Sequence, residues 1–548
     1  MPTWLKDAVF YEIYPQSFYD SNGDGIGDIP GIIQKLDHIQ NLGCNALWLN
    51  PVYDSPFWDA GYDVRNYKEV APRYGTNEDL YDLFRAAHER GIRVLLDLVP
   101  GHTSIDHPWF LEAKKTEKNP CSGRYIFTRS VWDMPPGYRW ISGFTERDGN
   151  FLVNFFCTQP ALNYGFHEIT DPRWQNPTDH PDCRATLELL KDIMRFWLDK
   201  GADGFRVDMA DSLVKNDENK IATAKLWRSV REMLDSDYPE AAMVSEWSNP
   251  EQSVNMGGFH MDFYLDHKHN GYHSLVRLRE DGVNRCYVGK GAPGDITRFT
   301  ADFVPKYECV KGNGYISFIT CNHDSPRLTR FLGIDEVKLA YALLFTMPGV
   351  PFLYYGDEIG MRYIEGLPSK EGGYDRTGSR TPMQWGAGKN LGFSDSDPEA
   401  LYLPVDSGAA APTVQAQRSD PDSILNMVKE LISLRRRFED LNADGDFEVV
   451  HAKSGDPLFV YRRGSLHLFV NPGATEAWIE WPGAAEAGVG RPGEVGSAVG
   501  QPGEAEGAES GITRPGQEQR SDAIFSIGRA RKENGKIILS PQSFAIFA

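Results

Sequence analysis

GFRVDMA (residues 204–210) is a near-continuous apolar run that carries one arginine and, toward its end, one aspartate. It is too short for a free-standing helix, and its β-branched and aromatic content suits a strand buried on both faces. Seven other runs share the pattern: AVFYEIYP (8–15), NALWLNP (45–51), RVLLDLV (93–99), AAMVSEW (241–247), HMDFYLD (260–266), YISFITCNHD (315–324) and PFLYYGDE (351–358). Amphipathic stretches lie between several of them. LYDLFRAAHERG (80–91) and ATLELLKDIMRFWLDKG (185–201) each end in a glycine suited to cap a helix. Eight buried strands alternating with helices predict the α/β class and a (β/α)8 TIM barrel. A doubly wound sheet is the runner-up, but no G-x-G-x-x-G turn follows the first strand.

Working outward, the third and fourth strands are widely separated. Residues 103–170 are rich in Trp, Pro, Gly and Asn, with no long helical period. A plain loop of that length is unusual, so this segment reads as a lid domain inserted after strand 3. LNMVKELISLRRRFEDL, from 425, reads as the last barrel helix. FEVVHA, LFVYRR, LHLFVN, AWIEW and IILSPQSFAIF follow as short strands of a C-terminal antiparallel β-sandwich. The expected division is 1–102 and 171–445 for the barrel, 103–170 for the lid and 446–548 for the sandwich. An insert at 483–531, rich in Gly, Ala, Glu and Pro, is expected to be a flexible loop.

The chain has 548 residues and a formal net charge of −20, with a pI near 5.2. That balance opposes nucleic acid and anionic membrane as partners and favours a small neutral substrate. The 13 Trp and 24 Tyr offer faces that suit sugar rings, although they serve a core equally well. Seven cysteines without a C-x-x-C pair argue against a disulfide framework or zinc site and for reduced thiols in a cytosol. The N-terminal residues lack the pattern of a signal peptide, and no run of about 20 apolar residues suggests a membrane span. A cytoplasmic monomer or small homo-oligomer without an organic cofactor is the expectation.

In barrel enzymes the reacting groups stand at the C-terminal ends of strands. Here strand 3 ends in Asp97, with His102 just beyond; strand 4 in Arg206 and Asp208; strand 5 in Glu246; strand 7 in His323 and Asp324. One such acid by itself reads as a loop cap or ion-pair partner. Four clusters on four strands, in order, read as a site. Arg206 and Asp208 are two residues apart and point the same way, so Arg206 can keep Asp208 ionised as a nucleophile. Glu246, on the neighbouring strand, is placed to be the proton donor. One ionised and one protonated carboxyl is the pair that glycoside hydrolysis uses.

DSNGDGIGD (20–28) looks like part of an EF-hand, but its twelfth position is Gly31 rather than Glu. The loop still gathers hard oxygens on one glycine-rich turn, which suits a structural cation rather than a calcium sensor.

GFRVDMADS, SEWSN (245–249), FITCNHDSPR (318–327) and DLVPGH (97–102) together resemble the four short regions of the α-amylase family, glycoside hydrolase family 13. GYDVRNY (61–67), GVPFLYYGDEIGM (349–361) and SRTPMQW (379–385) further resemble its oligo-1,6-glucosidase and α-glucosidase branch. The resemblance implies Asp208 as nucleophile, Glu246 as acid/base and Asp324 as the third carboxylate. It implies Tyr62, Asp97, His102, Arg206 and His323 around the reacting sugar. An Asp59–Arg376 pair, with Arg380 a second candidate, would close the pocket of an exo-acting enzyme. It also implies Ca²⁺ held by Asp20, Asn22, Asp24, the Ile26 carbonyl and Asp28. Three positions depart from the pattern: Ala161 replaces an aspartate in QPALN, Met209 follows the nucleophile where Val, Thr or Ala is usual, and Ala60 replaces the asparagine of N-G-Y-D, beside a bulky Phe57-Trp58. The implied activity is a retaining α-glucosidase acting on short α-glucosides. Glucosyl transfer or sucrose or trehalose isomerisation at the same site is the alternative. An endo-acting amylase and a non-catalytic barrel fit the residues less well.

Overall fold

The computed structural model describes residues 1–291, 294–481, 495–497 and 523–548. Eight strands form one parallel sheet: β1 (Phe10–Ile13), β2 (Ala46–Leu49), β3 (Arg93–Leu98), β4 (Gly204–Val207), β5 (Ala242–Ser245), β6 (Met261–Phe263), β7 (Tyr315–Ser317) and β8 (Phe352–Tyr354). Their order is β7-β6-β5-β4-β3-β2-β1-β8. The sheet closes where Phe352 N–H donates to the Phe318 carbonyl (2.8 Å) and Thr320 N–H to the Phe352 carbonyl (3.0 Å). All eight apolar runs of the sequence are barrel strands, and almost every strand residue is buried. The runs are longer than the strands, because their C-terminal residues leave the ladder to form the rim. Inside, Phe10 stacks on Phe352 at 4.2 Å and Trp48 lies 5.3 Å from Phe263, filling the barrel.

Helices α1 (Ile29–Leu42), α2 (Asn77–His88), α3 (Pro181–Leu198), α4 (Ile221–Asp237), α5 (Ile296–Val310), α6 (Ile334–Thr346) and α7 (Ile424–Arg437) are the longest between and after the strands. The two helices expected at 80 and 185 begin earlier. Thr76 and Asp79 form a reciprocal capping box on α2, and His180 caps α3 ahead of Pro181. Gly91 (φ 70°) and Gly201 (φ 113°) turn the chain out of these helices in the left-handed region.

Between β3 and β4 the chain builds a separate layer. A short hairpin (Trp140–Ile141 with Phe151–Leu152) and a cluster of Ile126, Leu152, Ala161, Phe166 and Trp174 hold it together. Beyond α7 come β9 (Glu448–His451), β10 (Phe459–Arg463), β11 (Leu466–Asn471), β12 (Ala477–Glu480), β13 (Val495–Ser497), β14 (Phe525–Ile527), β15 (Ala530–Glu533), β16 (Lys536–Leu539) and β17 (Ser543–Phe547). They make two antiparallel sheets, β9-β10-β11-β17-β14 and β13-β12-β16-β15. IILSPQSFAIF is therefore two strands in different sheets, broken at Gln542 (φ 49°). The insert expected to be flexible over 483–531 is corrected at 495–497, which form β13, and at its end, where 525–531 contribute to β14 and β15; residues 482–494 and 498–522 lie outside the described residues.

The five-stranded sheet is buried on both faces. Val460, Phe469, Ala545 and Phe547 pack with Ile479, Ile537 and Leu539 of the second sheet. Their neighbours Phe459, Tyr461, Leu468, Val470, Phe544 and Ile546 pack with the barrel. The period of two thus sends alternate residues to two cores. Among the described residues no helix is long and apolar enough to cross a membrane.

Phe459 is fully buried and meets Tyr461 and Tyr287. Phe459→Ala is expected to lower unfolding free energy by about 3–5 kcal/mol. Barrel and sandwich should melt together in calorimetry; a separate low-temperature transition would show that the two cores are independent.

Candidate active site

The rim of the barrel is organised by one buried cation. Arg206, on β4, is 1 % exposed. Its Nη1 donates to Asp97 Oδ1 (2.8 Å) and to Asp208 Oδ1 (3.0 Å), while Nη2 pairs with Glu246 Oε2 (2.8 Å). The guanidinium lies 5.0 Å from the centre of Trp48 and 5.7 Å from that of Tyr62. Burial by itself would favour loss of its proton; Asp97 and Glu246 hold it charged, above the ordinary arginine range. Asp97 also accepts from Trp48 Nε1 (3.0 Å) and the Tyr62 hydroxyl (2.8 Å). Burial still pushes Asp97 up to about 6, against the pull of Arg206. Burial likewise pushes Asp208 well above its usual range; Arg206 opposes this, and Glu246 adds to it. Three carboxyl groups share this one cation, so the group is disposed to retain a proton.

Asp324, past β7, has the opposite balance. Its Oδ1 accepts from Arg376 Nη1 (2.6 Å) and Arg380 Nη2 (3.0 Å). Burial would raise this carboxyl, but His323 and the two arginines hold it well below the usual carboxylate range. Arg380 is anchored in turn by the His323 carbonyl (2.8 Å). His323 stacks on Tyr62 at 5.2 Å, and its Nδ1 meets Glu12 Oε1 (2.9 Å) and Asn50 Nδ2 (3.1 Å). Burial holds the His323 imidazole neutral, far below the usual histidine range.

The lid closes a third side. Gln159 Nε2 donates to Asp59 Oδ2 (2.7 Å), and Asn154 Nδ2 approaches His102 Nδ1 (3.3 Å). The other His102 nitrogen meets the Tyr62 carbonyl (3.1 Å), and burial pushes this imidazole down to about 4. Burial pushes Asp59 up to about 7 despite Gln159. Asp63 accepts from Ser55 Oγ and from the Trp58 and Asp59 amides, fixing a loop with Phe57 and Ala60 at positive φ.

These groups enclose a cavity of about 160 Å³ lined by Asp59, Tyr62, His102, Phe155, Asp208, Met209, Glu246, Asp324 and Arg376. A second chamber of about 190 Å³ meets it at Glu246 and Asp324, and is walled by Asp266, His267, Arg277 and Asn322. Asp97, Arg206, His323 and Arg380 stand behind the first cavity and hold its lining. Asp59 and Arg376 both line it without forming an ion pair: Gln159 takes the one and Asp324 the other. Sequence reading missed Glu12, Asn50, Asn154, Phe155 and Gln159. Only Glu12 left a signal, as a charge within a buried strand.

The loop at 20–28, where the sequence suggests a cation, is closed by its own hydrogen bonds. Asp20 accepts from the amides of Asn22, Gly23 and Gly25 and from Ser394 Oγ, which uses both carboxylate oxygens twice. Asp28 caps α1 through Gly31 N–H (2.6 Å) and binds Ser21. Asn22 and Asp24 each accept one amide, leaving Asp24 Oδ2 open. The loop fits a cation only if Asp20 gives up one of its four bonds.

A parallel barrel whose strand ends gather paired carboxyl groups around buried arginines, over a small pocket, defines an enzyme of carbohydrate chemistry. Residues 12–444 match the family model Alpha amylase, catalytic domain, and the chain belongs to the α-amylase family, in its oligo-1,6-glucosidase and α-glucosidase branch. It is 34% identical over 509 residues to the trehalose synthase/amylase TreS of Mycolicibacterium smegmatis, spanning 84% of this chain and 80% of that protein. It is 32% identical over 527 residues to the probable oligo-1,6-glucosidase 2 of Bacillus subtilis, spanning 84% and 88%. Among solved structures, an alpha-glucosyl transfer enzyme superposes over 100% of both chains with a TM-score of 0.75 and 25% identity.

Two outcomes follow. Arg206→Met strands two buried carboxyl groups, Asp97 and Asp208, and is expected to cost about 3–5 kcal/mol of stability near pH 7. The loss should shrink at lower pH as those groups protonate; a loss unchanged down to pH 5 would contradict the charge argument. For Asp59 the folded state holds its proton up to about pH 7, whereas the unfolded chain releases it near 3.8. The native state therefore binds more protons across that window, and stability falls as pH rises through it. Asp59→Asn should flatten this slope in melting curves between pH 5 and 7.

Proposed function

We propose that this enzyme is a retaining, exo-acting α-glucosyl-transferring enzyme for small α-glucosides, which favours isomerisation or transfer over hydrolysis. The observation that carries it is the pair of chambers meeting at Glu246 and Asp324. The first has room for a single sugar ring, which supports end-on attack on a short substrate. The second is a part-open space, beyond the bond being broken, where the departing sugar can stay. A sugar retained there competes with water for the intermediate. The likeness to the alpha-glucosyl transfer enzyme and to trehalose synthase/amylase TreS agrees with this reading; likeness to the oligo-1,6-glucosidases supports the hydrolase as the second reading.

In the proposed reaction Asp208 attacks the anomeric carbon in its anionic form, the one that its bond to Arg206 Nη1 stabilises. Glu246 gives its proton to the departing glycosidic oxygen; it is placed for this by the Met209 amide (2.9 Å) as well as by Arg206. The resulting glucosyl ester on Asp208 is opened by a hydroxyl of the retained sugar, or by water, whose proton returns to Glu246. Asp324, kept ionised by Arg376 and Arg380, accepts hydrogen bonds from the ring hydroxyls. Neutral His102 and Tyr62 face the same ring. We further propose Ca²⁺ as a structural ion held through Asn22, Asp24, the Ile26 carbonyl, Asp28 and a rearranged Asp20. It is a support of the loop after β1 and takes no part in the reaction.

Maltose, trehalose, isomaltose and sucrose should each be offered to the purified protein and the products separated by chromatography. A new disaccharide exceeding free glucose supports transfer; glucose as the main product would establish the hydrolase instead. Asp208→Asn and Glu246→Gln should each reduce turnover by on the order of 10³-fold or more with the melting temperature held. Adding Ca²⁺ after chelation should raise the melting temperature, and an unmoved transition would remove the ion from the account.

A further inference from the structure

A larger cleft lies on the other side of the β4 loop. Its volume is about 820 Å³, within the roughly 300–1,000 Å³ typical of small-molecule sites. One wall is the lid, through Tyr138, Glu168 and Trp174; the other is the chain after β4, through Ser212, Asp217 and Asn219. The aromatic wall is rigid, since Trp174 packs edge-on against Trp140 (5.3 Å), Phe166 (5.2 Å) and Tyr138 (5.7 Å). One lining residue, Asp217, is more than nine-tenths buried and keeps an acceptor, Oδ1, without a partner among the described residues. A built cleft that retains an unused acceptor, beside an aromatic surface, has the makings of a polyol site.

Charge narrows the ligand. Lys220 is paired with Asp211 (3.1 Å), and Lys215 with Asn154 Oδ1 (3.1 Å) and the Ser212 carbonyl. Glu168 and Asp217 add negative charge. The lining lysines are thus engaged and are outnumbered by the lining acids, of which Asp217 accepts from the Thr223 amide (2.7 Å), so an anion is disfavoured and a neutral hydroxylated ligand is favoured.

We propose that this cleft is a second saccharide-binding site, taking a neutral mono- or disaccharide apart from the reaction pocket. The cleft's charge balance, its aromatic wall and its unused acceptor select the ligand class; only the choice of glucosides as probes rests on the proposed activity. The site also touches the reaction pocket through one loop. Ser212 Oγ donates to the Met209 carbonyl (2.8 Å) and accepts from Asn154 Nδ2 (3.3 Å). Met209 lines the reaction pocket and donates its amide to Glu246. A sugar seated against Ser212 therefore bears on the turn that positions the acid/base carboxyl, and its binding modulates turnover.

The test uses the full chain carrying Asp208→Asn, titrated with glucose, maltose and trehalose by calorimetry. Two binding events are expected. Adding Asn219→Trp, at an exposed position, should fill the cleft and weaken one event at least tenfold while the other holds. Glu168→Ala, also exposed, is the milder companion and should weaken the same event. Saturation-transfer resonances from the tryptophan rings should accompany that event and vanish with Asn219→Trp. A single event untouched by both variants would overturn the proposal, as would equal weakening of both events with an unchanged melting temperature. Should the enzyme turn over none of the glucosides, the cleft event would still be present and the pocket event absent, so the two readings fail separately.

Discussion

The structure depends on keeping Arg206 charged inside the barrel. A guanidinium with 1 % exposure has no water to stabilise it, so its partners must come from the chain. Asp97, Asp208 and Glu246 supply them from the ends of β3, β4 and β5, and the faces of Trp48 and Tyr62 lie close to the cation. Because its fork is planar and rigid, those three carboxyl groups are set by the geometry of one side chain. The order of strands in the barrel is thereby converted into the spacing of a reaction site.

Charge is divided unevenly across that site. Around Arg206 the acids outnumber the base, which favours keeping a proton; around Asp324 the bases outnumber the acid, which removes it. Within the first group one carboxyl can hold a proton while its neighbour stays anionic, the pairing that chemistry on a glycosidic bond requires, and Asp324 stays anionic across the same small cavity. His323 links the two halves, resting on Tyr62 and leaning on Glu12 and Asn50.

The lid contributes few residues to the cavity lining but fixes others. Gln159 holds Asp59, and Asn154 spans His102 and Ser212. Met209 sits in the left-handed region (φ 41°), a conformation that costs a non-glycine residue about 1–3 kcal/mol. Its amide bond to Glu246 and the Ser212 hydroxyl on its carbonyl hold it there. The turn after the proposed nucleophile is thus a shared wall, with the reaction pocket on one side and the lid cleft on the other.

The barrel was legible in the sequence because its strands are buried on both faces, and burial on both faces writes itself as unbroken apolar runs. The strand-end acids were legible because four clusters close four such runs in order, which a single loop cap or ion pair does not explain. The sandwich was legible only in part: the turn in IILSPQSFAIF and the strands after 523 carry weak local signals, and they are fixed by packing in two cores. Pairing across the site was not legible. Arg376 is 52 residues from Asp324 and Gln159 is 100 from Asp59. Nothing in the local pattern says that Arg376 grips Asp324 rather than Asp59, or that Glu12 supports a histidine 311 residues away. The sequence by itself determined which residues carry charge at the rim. The tertiary structure decided which of them neutralise each other, because a buried charge takes whichever opposite partner closure of the barrel and docking of the lid bring within reach.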